Sequence, residues 1–107
     1  PLPSLPHFTK KTDQFIDADT AQVVGDMMAN NVRETYGSSR FPNTDICAKS
    51  GTAEVGGGKK PNAWFAGFLR NSDAPYAFVV VLEEGGSGAN AAGNVAAQVL
   101  DALVNGY

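Results

Sequence analysis

The run Ala77-Phe78-Val79-Val80-Val81-Leu82 constrains this chain more than any other segment. It is apolar from end to end without alternation, whereas a strand with one wet face alternates polar and apolar side chains. Such a strand needs cover on both faces and pairing along both edges, because a bare apolar edge is an association hazard. Two helices readable elsewhere in the chain supply two covers. Pairing both edges needs a further strand beyond the neighbouring one, and no good candidate for it is present. The chain therefore reads as part of a larger sheet.

Around this run the elements follow in order. Residues 1–17, with three prolines in the first six positions, predict an irregular lead-in. Asp17 and Asp19 are both candidate N-caps for a helix whose stripe is Val24, Met28, Val32 and Tyr36, flanked by Ala21 and Met27. The two methionines read as core filler, and Gly37 as the stop. Ile46 to Val55 predicts a first strand, Ala63 to Leu69 a second and Tyr76 to Glu84 a third. The glycine-rich Gly56 to Pro61 and the turn-prone Asn71 to Pro75 join them. Connections this short favour an antiparallel meander. A last helix carries Ala92, Val95, Ala96, Val99, Leu100 and Leu103 inward, with Val104 on the same stripe and Gly106 closing it. No Gly-Lys-Ser/Thr follows the run Gly85-Gly86-Ser87-Gly88, so it is not a phosphate loop. The predicted fold class is α+β: a three-stranded antiparallel sheet flanked by two helices.

Composition narrows the partners. A chain of 107 residues holds one small core, and a formal net charge of −3 argues against nucleic acid or an anionic membrane surface. Lys10-Lys11 and Lys59-Lys60 read as solvated loop charge. No stretch approaches the roughly 20 apolar residues of a membrane span. No signal peptide is visible, and the start Pro1-Leu2-Pro3 reads as a processed chain or a fragment. Cys47 is the only cysteine, which leaves no intrachain disulfide and no Cys-based metal site; it reads as a small apolar residue on a buried strand. His7 is the only histidine and lies in the Pro-rich lead-in, against a His-dependent triad.

The chemistry-bearing stretch is Lys49-Ser50-Gly51-Thr52-Ala53-Glu54. An ammonium, two hydroxyls and a glycine in consecutive strand positions make an anion-binding edge. The charge attracts, the hydroxyls donate, and Gly51 admits another backbone. As a bare string it is a weak signal. Its context raises it, because Asn62-Ala63-Trp64-Phe65-Ala66-Gly67-Phe68, the apolar strand, the glycine-rich turn and the Ala/Val helix follow in order. The stretch resembles the Lys-Thr/Ser-Gly motif of the penicillin-recognising serine enzymes, in the Lys-Thr-Gly-Thr-Ala-Glu form of penicillin-binding proteins. The resemblance runs from about Phe15 onward, and Ser50 stands where Thr is commoner.

That resemblance implies that residues 1–107 are the C-terminal portion of a transpeptidase domain, within a five-stranded sheet facing an all-helical region. It implies that Lys49 holds the substrate carboxylate and that Ser50 and Thr52 donate hydroxyls to it. The N–H of Thr52, directly after Gly51, would be one of two oxyanion donors. Trp64 and Phe65 are expected to pack the sheet. The family's nucleophile motif Ser-x-x-Lys and its Ser-x-Asn are absent from this sequence, so they are expected upstream, in the remaining N-terminal part of the domain. The implied ligands are a peptidoglycan stem peptide and β-lactam antibiotics, with no metal or organic cofactor and no nucleic acid. The implied place is the extracytoplasmic face of a bacterial membrane. A β-lactamase or β-lactam sensor of the same fold, or a non-catalytic interaction module, are the alternatives.

Overall fold

The structure, a computed structural model, describes residues 13–106. Of the lead-in expected over residues 1–17, the first twelve lie outside the described residues, and so do His7 and Lys10-Lys11. Residues 13–17 have no regular structure, and Phe15 and Ile16 are exposed.

Helix α1 (Ala18–Asn31) starts after Asp17, runs into a wide π-type turn, Val32–Tyr36, and stops at Gly37 with φ 89°. Glycine reaches that left-handed backbone without the clash a Cβ brings. The buried side of this segment is Gly25, Ala29, Val32 and Tyr36, one residue out of phase with the expected stripe at its start. Val24 is exposed and Met27 is 66% exposed, which corrects their placement in the core. The reason is contact distance. At Gly25 the helix approaches the sheet so closely that a Cβ would lie 3.4 Å from the Phe68 ring and against the Arg70 guanidinium. Two small residues face the sheet there, and the longer Val24 and Met27 point away. Arg70 fastens the contact with an ion pair to Asp26 at 2.9 Å and a bond to the Gln22 carbonyl at 3.3 Å.

Strands β1 (Ile46–Ala53), β2 (Asn62–Leu69) and β3 (Ala77–Leu82) form an antiparallel meander in the order β1-β2-β3. The register pairs Ser50 with Phe65, and Phe65 with Val80. Because side chains alternate across a strand, Ile46, Ala48, Ser50 and Thr52 share one face with Phe65, Leu69, Phe78 and Val80. This is the core face. Phe65 is fully buried at its centre, with the rings of Tyr36, Phe41 and Phe78 at 5.2, 5.8 and 6.0 Å. Four aromatic rings in contact contribute beyond their buried area.

Helix α2 (Gly93–Asn105), entered through a second π-type turn at Gly88–Ala92, covers this face with Ala92, Ala96 and Leu100. Arg40, in a short turn Ser38–Arg40, ties the helix down through the Ala89 carbonyl at 3.0 Å and Asn94 Oδ1 at 2.7 Å. Val95, Val99 and Leu103, expected inward, are exposed. The apolar arc of α2 is wider than the surface that three strands offer it.

On the opposite face α1 covers Cys47, which is fully buried, and reaches Phe68. The rest of that face is open: Trp64 is 40% exposed, Val79 62% and Val81 40%. Trp64, expected to pack the sheet, does so only in part. The double cover and double pairing inferred for the apolar run are half met within the described residues. Phe78, Val80 and Leu82 pack on the core, while the other face and the outer edge of β3 are bare. None of the described helices is long and apolar enough to cross a membrane.

Candidate active-site edge

The stretch singled out in the sequence occupies the middle and end of β1, with Glu54 just past it, and β1 lies at the outer edge of the sheet. In an antiparallel ladder, successive residues point their backbone groups alternately toward the partner strand and away from it. The Ser50 N–H points away, since it donates to Tyr36 Oη at 2.7 Å, and the Ala48 carbonyl points away, since it accepts from Asn31 Nδ2 at 3.2 Å. By the same alternation, the N–H and C=O of Thr52 face outward. The edge thus carries a donor directly after Gly51.

The side chains divide between the two faces. Lys49 and Gly51 lie on the open face, and Ser50 and Thr52 on the core face. They meet only around the edge. Lys49 is exposed, and its ammonium curls over to the Ser50 carbonyl at 2.7 Å. Ser50 is half-buried, with Oγ 2.8 Å from Tyr36 Oη. Thr52 Oγ1 accepts from the Gly88 N–H at 3.3 Å, which leaves its own hydrogen free to donate. An ammonium, two hydroxyls and a backbone N–H with no partner among the described residues lie along one edge, an arrangement chemically suited to an extended anionic ligand.

Gly88 supports this line from behind. A Cβ there would lie 2.7 Å from the Trp64 carbonyl oxygen and 2.9 Å from the Gly51 nitrogen, closer than real Cβ contacts come. Only a glycine lets the approach to α2 press directly on the backbone at Gly51.

Tyr36 was read in the sequence as the end of a helix stripe, and its part in this edge was missed. The ring is buried, and Oη contacts Asn31 Nδ2 at 2.9 Å as well as both Ser50 groups. Burial alone would push the phenol up. The hydrogen bonds of Ser50 and Asn31 and the charge of Lys49 outweigh it, and the phenol sits below its ordinary value. The available signal was a tyrosine on an inward stripe, since a buried Tyr hydroxyl needs a partner.

A depression of about 440 Å³ between Val55-Gly56-Gly57 and Glu83-Glu84, with Lys59 and Asn62, lies beyond the end of β1 and off this line. Among the described residues no three His, Cys, Asp or Glu side chains converge on a metal position.

With the edge in view, comparison with known proteins is decisive. The family profile described as "Penicillin binding protein transpeptidase domain" matches residues 5–105. This chain belongs to that family. Three solved structures are similar. Penicillin-binding protein A from Mycobacterium tuberculosis, as an imipenem acyl-enzyme complex, shares 27% identity at TM-score 0.67, over 82% of this chain and 20% of that one. A second structure of the same M. tuberculosis protein shares 26% at TM-score 0.64, over 78% and 22%. The D,D-transpeptidase domain of a peptidoglycan glycosyltransferase from Eggerthella lenta shares 26% at TM-score 0.69, over 96% and 24%. The chain therefore spans about a fifth to a quarter of the solved chains it resembles. No curated protein matches it. The three-stranded sheet with its two helices is the transpeptidase fold over that span.

Proposed function

We propose that this chain supplies one wall of the active site of a peptidoglycan D,D-transpeptidase and forms the C-terminal portion of its catalytic domain. The observation that carries the reading is the outward Thr52 N–H beside the Lys49 ammonium on an open strand edge. An extended D-Ala-D-Ala peptide pairs with this edge. Lys49 attracts its terminal carboxylate, and the hydroxyls of Ser50 and Thr52 donate to that group. Gly51 lets the peptide backbone close in. The Thr52 N–H and a second donor stabilise the oxyanion as it forms, a kind of interaction worth about a hundredfold or more in rate.

The nucleophile comes from outside these 107 residues, in a Ser-x-x-Lys segment facing the edge, with a Ser-x-Asn beside it. The serine oxygen bonds to the penultimate D-Ala carbonyl carbon, and the terminal D-Ala leaves with a proton. An acceptor amine then displaces the serine and completes the cross-link. A β-lactam stops at the acyl stage, because its leaving amine stays tethered. The same reading puts the domain on the extracytoplasmic side of a bacterial membrane, where peptidoglycan is.

Labelling with a fluorescent penicillin, read by intact mass on this chain alone and on the full-length protein, tests the proposal. Stable label on the full-length protein alone is expected. Label on the isolated chain would require a nucleophile here and overturn the mechanism. Rapid turnover of the label would point instead to a β-lactamase, and no label on either to a non-catalytic module.

A further inference from the structure

The hydrogens around Tyr36 can be placed from its partners. The Ala48 carbonyl only accepts, so the Asn31 atom 3.2 Å from it is the amide nitrogen. That nitrogen also lies 2.9 Å from Tyr36 Oη and donates to it. The backbone N–H of Ser50 donates to the same oxygen at 2.7 Å. Both lone pairs of the phenol are then filled. Among the described residues its own hydrogen has one acceptor in reach, Ser50 Oγ at 2.8 Å. Ser50 Oγ accepts there, and its own hydrogen must turn away from Tyr36.

We propose that Tyr36, locked by Asn31, is a positioning residue that makes the Ser50 hydroxyl an obligate donor to an anionic ligand on the β1 edge. A free serine hydroxyl divides its time among rotamers, some of which turn a lone pair toward an approaching carboxylate. The Tyr36 bond occupies a lone pair of Ser50 beforehand, so the ligand meets a hydrogen. Asn31 and Tyr36 also occupy the outward groups of Ala48 and Ser50 N–H. An extended ligand can therefore pair with the edge only beyond Ser50, in register with Thr52. The fold supports the arrangement: the Tyr36 ring is buried, set edge-on to Phe65 at 5.2 Å and 70°. Removing the hydroxyl alone leaves that packing in place.

This inference rests on the reading that Ser50 meets a ligand carboxylate, and the test separates the two. The second-order acylation rate of the full-length protein is measured with a penicillin and with its methyl ester, which lacks the anion. Tyr36→Phe should slow acylation by the acid roughly tenfold, as for a lost hydrogen bond to a charged group, and leave the ester unchanged. Asn31→Leu frees a lone pair on Tyr36 and should give a smaller, few-fold loss with the same ligand dependence. Equal slowing of acid and ester in both variants would mean that Tyr36 only supports the fold, and would overturn the assignment, as would unchanged rates with both. An unmutated protein that neither compound acylates would instead sink the transpeptidase reading, and this assignment with it.

Discussion

The two outer edges of this sheet are built to opposite rules. Along β1, side chains from α1 and the turn after it already hold the Ala48 carbonyl and the Ser50 N–H, and Lys49 holds the Ser50 carbonyl. Among the described residues only a short polar stretch around Thr52 stays open. Along β3, the outward groups of Val79 and Val81 have no partner among the described residues, and both side chains are exposed. An edge that must bind and release a ligand benefits from being short, charged and partly occupied, which discourages indiscriminate strand pairing. An apolar, unguarded edge makes sense only where another strand lies on it permanently. On the proposed reading the first edge is a site and the second a seam.

If the β1 edge is the site, Lys49→Ala in the full-length protein should cut penicillin acylation by about a hundredfold with an unchanged melting temperature. Near-normal acylation of that variant would erase the contrast from the β1 side. If the β3 edge is a seam, the isolated chain should self-associate as its concentration rises, seen by sedimentation. Val79→Lys should weaken that association by at least roughly tenfold, because a charge on an open edge opposes pairing. A chain that stays monomeric at high concentration would break the contrast from the other side.

The smallest effect concerns the covered part of the open face. Burial pushes the Cys47 thiol up, with Arg70 opposing and Asp45 and Asp26 adding to it. A raised folded value favours the neutral thiol in the native state. Its contribution to stability is present below the thiol's ordinary value and is lost as pH rises through the raised one. Unfolding midpoints should therefore fall modestly above about pH 9, and less so in Cys47→Ala. Equal slopes for the two proteins would mean that α1 does not seal this face.

Much of this was legible in the residues. The three strands and their order could be read because strand pattern and turn chemistry are local, and the polar stretch from Lys49 to Glu54 stood out by its residue types. The incomplete sheet was legible from one unalternating run. What escaped depended on contact across the chain. The phase of α1 turns on how closely Gly25 and Ala29 approach the sheet, which hydrophobicity alone does not register. The exposure of Val95, Val99 and Trp64 reflects how much surface three strands can cover. Tyr36 escaped because its partner lies fourteen positions on, across a wide turn, and helical spacing says nothing about where a phenol hydrogen points.

The contact between Gly88 and Gly51 has a consequence for how such a site can change. The motif is tuned from both sides, and the rear support is 37 positions away in a stretch with no chemistry of its own. A variant at residue 88 would lift the strand beneath Thr52 and tilt its N–H without altering any residue that meets the ligand. On the proposed function, inheritance could thus retune ligand preference through a glycine that no inspection of the β1 edge would single out.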